Sequence, residues 1–240
     1  VAELVEKHVN INRLLELTKP VATAVVPISA GRHTYKREPS FPIAVACDPA
    51  FNFVYEANIR YLHHLGEVTY FSPLADTSLP DAGFVYLPGG YPELYLAALS
   101  ANRQMLQSIR RYVESGGKLL AECGGMMYLC DEIRDKNGYV YPMAGVLHQS
   151  ATMENMKLRL GYRTLLYNET RLKGHEFHYS RLVEQQNPLP SCAVAYTAKG
   201  VETDTPLYHY KNVWAGYTHL YWADPVGNEW FTKFVIDGNT

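Results

Sequence analysis

Apolar and polar positions along this chain follow a helical period first, then alternate between strand-like and helical stretches, and finally become almost wholly strand-like. In "VAELVEKHVNINRLLEL" the residues Leu4, Val5, His8, Ile11, Leu14 and Leu15 recur at helical spacing, so the pattern predicts an amphipathic helix that ends before Pro20. A polar stretch containing proline, "SAGRHTYKREPS", follows it. From Phe41 the elements shorten. "FPIAVACD" reads as an apolar strand, and Tyr55, Ile59, Leu62 and Leu65 form a helical stripe closed by Gly66 in the C′ position. "EVTYFS" and "AGFVYLP" read as further strands. Ser100 is expected to cap a helix that carries Met105, Leu106, Ile109, Tyr112 and Val113 on one face and stops at Gly116–Gly117. "KLLAE" is then a strand running straight into Cys123. Such alternation predicts a parallel sheet covered by helices. Beyond about residue 138, "YVYPMAGVL", "KLRLGYRTLLY", "GHEFHYSRLV" and "CAVAYTA" predict added strands, partly antiparallel. "VWAGYTHLYW" reads as one more strand, and Asp224 to Phe234 as a closing helix.

Composition adds limits. With 240 residues and 47% apolar content, the chain can bury a sizeable core. A formal charge of 22 − 24 = −2 speaks against a general nucleic-acid or anionic-membrane surface. No run approaches the roughly 18 apolar residues of a membrane span, and the first residues lack the order of a signal peptide. The four cysteines, Cys47, Cys123, Cys130 and Cys192, form no C-x-x-C pair, which predicts a cytoplasmic chain with reduced thiols. The N-terminal helix fits either of two arrangements: packed on the following domain, or the end of a preceding domain with a linker after it.

Candidate chemistry centres on "LLAECGGMMYLC". Catalytic groups of open parallel sheets collect at the carboxyl ends of strands, and Cys123 stands at such an end. Ala121-Glu122-Cys123-Gly124-Gly125 has the form of a nucleophile elbow, a tight strand-to-helix turn in which small residues make room for a strained nucleophile. The turn is expected to hold the sulfur exposed, and the helix start to favour its thiolate. Cys47, Cys130 and Cys192 read as ordinary structural thiols. His219, at the end of a late apolar strand, is the histidine that a parallel strand would deliver to the same edge. His175 and His178 in "GHEFHYS" lie three apart, on opposite faces of a strand. No metal is therefore expected there, and no other cluster has metal spacing. "LPGGYPE" places Gly89–Gly90 after a strand and Pro92 at a helix start, either as a plain turn or as a loop whose N–H groups face an anion. Neither G-x-x-x-x-G-K-[ST] nor G-x-G-x-x-G occurs, so nucleotide chemistry must come from elsewhere.

In order along the chain, "DPAFNFVYEAN", "LPGGYPELY", "LSAN", "AECGGMMYL", "LGYR", "GHEFHYS" and "GYTHLYW" resemble the glutaminase domain of the cobyrinic acid a,c-diamide synthases. These are class I glutamine amidotransferases. The resemblance covers about residues 41–222. It implies an α/β, flavodoxin-like three-layer sandwich with a central, mostly parallel sheet and added antiparallel strands. It also implies that residues 1–18 are the tail of an N-terminal ATP-binding synthetase domain, 19–40 a linker and 41–240 the glutaminase domain. Under it, Cys123 is the nucleophile, His219 the general base, and the N–H groups of Gly90 and Gly124 the oxyanion hole. Gly89 and Glu93 border the substrate, Glu93 either meeting the α-amino group of glutamine or simply charging a helix start. Tyr55, Asn58, His175, Glu176 and His178 are expected to face the acceptor or the partner domain. The implied partners are glutamine, the synthetase domain and a corrinoid acceptor, and a homodimer is compatible with all of these. No cofactor is expected in this chain; ATP and Mg2+ belong to the synthetase domain. In one departure, many triad amidotransferases read H-x-E, whereas here Tyr221 stands two residues after His219, leaving a Cys–His dyad. Cobyric acid synthase and nickel-sirohydrochlorin a,c-diamide synthase share most of these motifs. A non-catalytic partner-binding domain is the rival of a different class.

Overall fold

Strand β1 (Phe41–Ala46) carries almost unbroken apolar character because both of its faces are covered. In the computed structural model of the chain, residues 7–18 and 41–237 are described. The expected linker over 19–40 lies outside the described residues, as do the first six residues of the expected N-terminal tail. The chain divides into two units, Val1–Glu38 and Pro39–Thr240. In the first, the helix Ile11–Leu17 begins where the Asn10 side chain accepts from the Arg13 N–H at 2.9 Å.

In the second unit, β1 is followed by β2 (Gly66–Phe71), β3 (Phe84–Leu87), β4 (Lys118–Glu122), β5 (Glu132–Arg134), β6 (Val140–Pro142) and β7 (Ser150–Thr152). Then come β8 (Arg159–Tyr167), β9 (Thr170–His178), β10 (Arg181–Leu182) and β11 (Val194–Thr197). The last are β12 (Glu202–Thr203), β13 (Leu207–Tyr210), β14 (Val213–Gly216) and β15 (His219–Tyr221). Among the described residues these form three sheets. The central one runs β13-β14-β4-β3-β1-β2, parallel except for β13 at its edge. The others run β10-β7-β5-β6 and β12-β11-β8-β9-β15.

Alternate side chains of the central strands enter two separate cores. Ala44, Val85, Leu119, Ala121 and Val213 face the helices Leu96–Ala101, Arg103–Glu114 and Gly124–Leu129. Ile43, Phe84, Tyr86, Leu120 and Trp214 face the helices Glu56–Leu65 and Pro225–Thr232. Helices on both faces of a mostly parallel sheet make this an α/β three-layer sandwich.

Three local expectations are corrected. The cap of helix Arg103–Glu114 is Asn102, whose Oδ1 accepts from the Met105 N–H, while Ser100 lies inside the preceding short helix. Gly66 is extended (φ −169°) and opens β2 instead of closing the helix in a left-handed turn; a Cβ there would sit 2.0 Å from the Phe41 carbonyl oxygen. "VWAGYTHLYW" is two strands. β14 is parallel to β4, the chain bends at Tyr217–Thr218, and β15 joins a different sheet antiparallel to β9.

Candidate active site

β4 ends at Glu122, and the chain turns at once into the helix Gly124–Leu129. At that turn Cys123 has φ 48° and ψ −105°, a conformation that costs an L-residue on the order of 1–3 kcal/mol and persists only when its surroundings impose it. The surroundings are specific. The Cys123 N–H donates to the Gly216 carbonyl at 2.7 Å, and its own carbonyl accepts from the Met127 N–H at 3.0 Å. Gly125 must be glycine because a Cβ would lie 2.1 Å from the Leu87 carbonyl oxygen of β3.

The sequence-derived residues meet around this sulfur. Cys123 and His219 line one cavity of about 20 Å3, with Phe53, Gly90, Tyr91 and Phe177. The Cys123 thiol is 4.0 Å from the Phe177 carbonyl. Gly90 has φ +155°, and a Cβ on it would strike the Ala50 carbonyl oxygen at 2.1 Å. A Cβ on Gly124 would come within 3.2 Å of the Gly90 nitrogen, so the two glycine backbones lie side by side. Gly89 leaves room for the imidazole itself, since a Cβ there would meet His219 Cε1 at 2.1 Å. Pro92 and Glu93 start a short 3-10 turn, and Glu93 is near enough to the thiol to disfavour its ionisation.

The thiol is not held in the open. Cys123 is only 4% exposed, against the expectation of an exposed sulfur, because Phe53, Tyr91 and Phe177 close over it. Nor does the turn leave it as a thiolate. Burial first, then Glu93, push the thiol up to about 12 against a smaller opposing pull from the Gly124 N–H. Burial, helped by His175 and His178, pushes His219 down to about 3. At neutral pH the resting pair is therefore a thiol and a neutral imidazole.

His219 is aligned by packing. Its ring stacks on His175 (centroids 5.0 Å, interplanar 20°) and meets the Phe53 ring at 4.6 Å and 60°. His175 in turn hydrogen-bonds the Tyr55 hydroxyl. Among the described residues His219 Nδ1 is buried without a hydrogen-bond partner, and Tyr221 packs on Tyr55 at 5.5 Å. Three of the residues expected to face the acceptor or the partner domain are largely buried within this chain. Asn58 is fully buried under β15, Glu176 is fully buried beside Arg163 (2.8 Å), and His178 stacks on Tyr217 at 3.8 Å. Across β9 from the small cavity, Glu176, His178 and Tyr217 help line a larger one of about 340 Å3 together with Arg159 and Arg181.

Sequence reasoning underrated Glu122. Its buried carboxylate accepts from the Tyr86 hydroxyl at 2.7 Å and from the Leu220 N–H at 3.0 Å. The available signal was a lone acid directly after the apolar run of Leu119, Leu120 and Ala121 and directly before the nucleophile. Among the described residues, no group of three or more His, Cys, Asp or Glu is gathered as a metal would require.

Comparison with known proteins converges on one family. The CobB/CobQ-like glutamine amidotransferase domain is matched over residues 42–226. The chain is 37% identical over 234 residues to a cobyrinate a,c-diamide synthase of Picrophilus torridus, covering 92% of this chain and 49% of that protein. It is 40% identical over 185 residues to a hydrogenobyrinate a,c-diamide synthase of Pseudomonas aeruginosa, covering 75% and 41%. The chain thus spans about half the length of these relatives. Among solved structures, a glutamine amidotransferase superposes with TM-score 0.53 at 17% identity, over 80% of this chain and 98% of that one. PurLQS from Thermotoga maritima superposes with TM-score 0.52 at 16% identity, over 82% and 96%. These establish the class I amidotransferase fold.

Proposed function

Because the chain belongs to the CobB/CobQ-like glutamine amidotransferase family, we propose that it hydrolyses glutamine and supplies the ammonia to a corrinoid a,c-diamide synthase. The observation that carries this reading is the strained Cys123 sharing one cavity with His219 and the paired glycine backbones of Gly90 and Gly124.

The steps follow from the neutral resting pair. His219 takes the thiol proton as the Cys123 sulfur attacks the carbonyl carbon of the glutamine side-chain amide. The oxygen becomes an oxyanion held by the N–H groups of Gly90 and Gly124. As the C–N bond breaks, His219 returns the proton to the leaving nitrogen, and ammonia departs. Water, deprotonated by the same imidazole, then cleaves the glutamyl thioester to glutamate and restores the thiol. A cavity of about 20 Å3 holds roughly one water and no glutamine side chain, so Phe53, Tyr91 or Phe177 must move for the substrate to enter. Opening also hydrates the sulfur and lowers the cost of its ionisation.

Amidation itself belongs to the half of the relatives that this chain does not span. ATP and Mg2+ are assigned to that half, since this sequence carries no G-x-x-x-x-G-K-[ST] phosphate loop. Ammonia would attack the a and c carboxylates of the macrocycle after ATP activates them. The relatives are named for cobyrinate and for hydrogenobyrinate, so both acceptors belong in the assay.

The test is to treat the full-length synthase with a chloromethyl ketone analogue of glutamine and locate the adduct by peptide mass. Modification of Cys123, blocked by glutamine, is expected. Glutamine-protected modification at Cys47, Cys130 or Cys192 instead overturns the assignment, and no protected modification anywhere favours a non-catalytic binding domain.

A further inference from the structure

Among the described residues β15 is the outermost strand of its sheet and pairs with β9 alone. An edge strand leaves the backbone groups of alternate residues pointing away from its neighbour. At an exposed edge water would satisfy them. Here the residue is Leu220, 2% exposed, where an unpaired N–H or C=O would be costly. Two side chains take the place of the missing strand. Glu122 Oε1 accepts from the Leu220 N–H at 3.0 Å, and Asn58 Nδ2 donates to the Leu220 carbonyl at 2.8 Å. Asn58 Oδ1 also accepts from the Trp222 N–H at 3.1 Å. The second carboxylate oxygen of Glu122 is locked by the Tyr86 hydroxyl at 2.7 Å. Asn58 and Tyr86 are fully buried and Glu122 nearly so.

Position makes this more than satisfied hydrogen bonding. Leu220 adjoins His219, and Glu122 adjoins Cys123. One residue therefore holds the nucleophile through its peptide bond and the base through its carboxylate, across 98 residues of sequence. The opposite side of β15 is equally tight: Gly174 of β9 approaches so closely that a Cβ would lie 2.2 Å from the His219 carbonyl oxygen. Among the described residues the imidazole has no acid on Nδ1, and the residue two positions on is Tyr221.

We propose that Glu122, locked by Tyr86, and Asn58 are positioning residues that set His219 against Cys123 through the backbone of β15, in place of an acid bonded to the imidazole. This rests on the assignment of Cys123 and His219 as the glutamine-cleaving pair.

The experiment uses the full-length synthase with glutamine or ammonia as nitrogen donor. Glu122→Ala is expected to lower glutamine-dependent kcat by about 30-fold, inside the roughly 100-fold that a misplacement on the order of 1 Å costs. Glutamine KM should stay within about twofold, as expected for an interaction that acts on the transition state. Glu122→Gln, which keeps an acceptor for the Leu220 N–H, should recover most of the loss. Tyr86→Phe, which removes the hydroxyl and keeps the ring, should lower kcat about threefold with the same unchanged KM, consistent with the loss of one supporting hydrogen bond. Ammonia-dependent amidation should hold in every variant. If Glu122→Ala does not fold, Tyr86→Phe decides alone. Unchanged kcat in the folded variants overturns the proposal, as does a rise in KM without a fall in kcat, or a parallel fall with ammonia. Failure of the underlying assignment looks different: Cys123→Ala would then retain glutamine turnover.

Discussion

Replacing Glu122 by Gln should make the folded chain more stable as pH rises, although Glu122 is well bonded. Its carboxyl is buried and held by Tyr86 and Leu220, yet burial outweighs the hydrogen bonds it accepts and pushes it from 4.5 up to about 7. The folded state thus binds the proton more tightly than the unfolded chain does. Stability from this group is complete below about pH 4.5 and is lost as pH rises through 7. At about 1.4 kcal/mol per pKa unit, a rise of roughly 2.5 units costs about 3 kcal/mol by pH 8. Glutamine cannot ionise, keeps an oxygen for the Leu220 N–H, and presents its amide to Tyr86. Urea unfolding of both proteins at pH 5 to 8 measures the effect. The difference in unfolding free energy should move toward the variant by about 2.5 kcal/mol across that window. His219 acts in the opposite sense: its folded value near 3 gives stability present above about 6.5 and lost as pH falls toward 3. It is common to both proteins and cancels in the difference. Two curves parallel to within about 0.5 kcal/mol would refute the reasoning.

Other sites give independent checks. Gly89→Ala should displace the imidazole, since the new Cβ would lie 2.1 Å from His219 Cε1; glutamine-dependent amidation by the full-length synthase should fall by about 100-fold while the ammonia-dependent rate holds. Gly125→Ala drives a Cβ to 2.1 Å from the Leu87 backbone oxygen and should cost about 2 kcal/mol or more, read as a fall of several degrees in thermal midpoint. Iodoacetamide should alkylate exposed Cys47 well before Cys123 at pH 7, because the Cys123 thiol is buried and held up to about 12. Equal rates at the two cysteines, measured by peptide mapping, would contradict the closed site.

Much of the layout was legible because it rests on local periodicity. "KLLAE" matches β4 residue for residue, and the Gly-Gly after Cys123 signals the tight turn. The closing helix expected over Asp224 to Phe234 is found at Pro225–Thr232, capped by Asp224. What escaped depends on contacts distant in sequence. "VWAGYTHLYW" is apolar throughout, so nothing in its period marks the bend at Tyr217–Thr218 that sends His219 into another sheet. The expectation of an exposed thiolate followed the turn alone and omitted Phe53 and Phe177, which come from other parts of the chain to cover it. Asn58 offered a hint, being three residues from Tyr55 on the apolar stripe of its helix, but its bonds to Leu220 and Trp222 span more than 160 residues.

The most direct test is Cys123→Ala in the full-length synthase, assayed side by side with glutamine and with ammonia. Amidation from glutamine should vanish while amidation from ammonia continues at the unmodified rate. Continued amidation from glutamine by that protein would contradict the account.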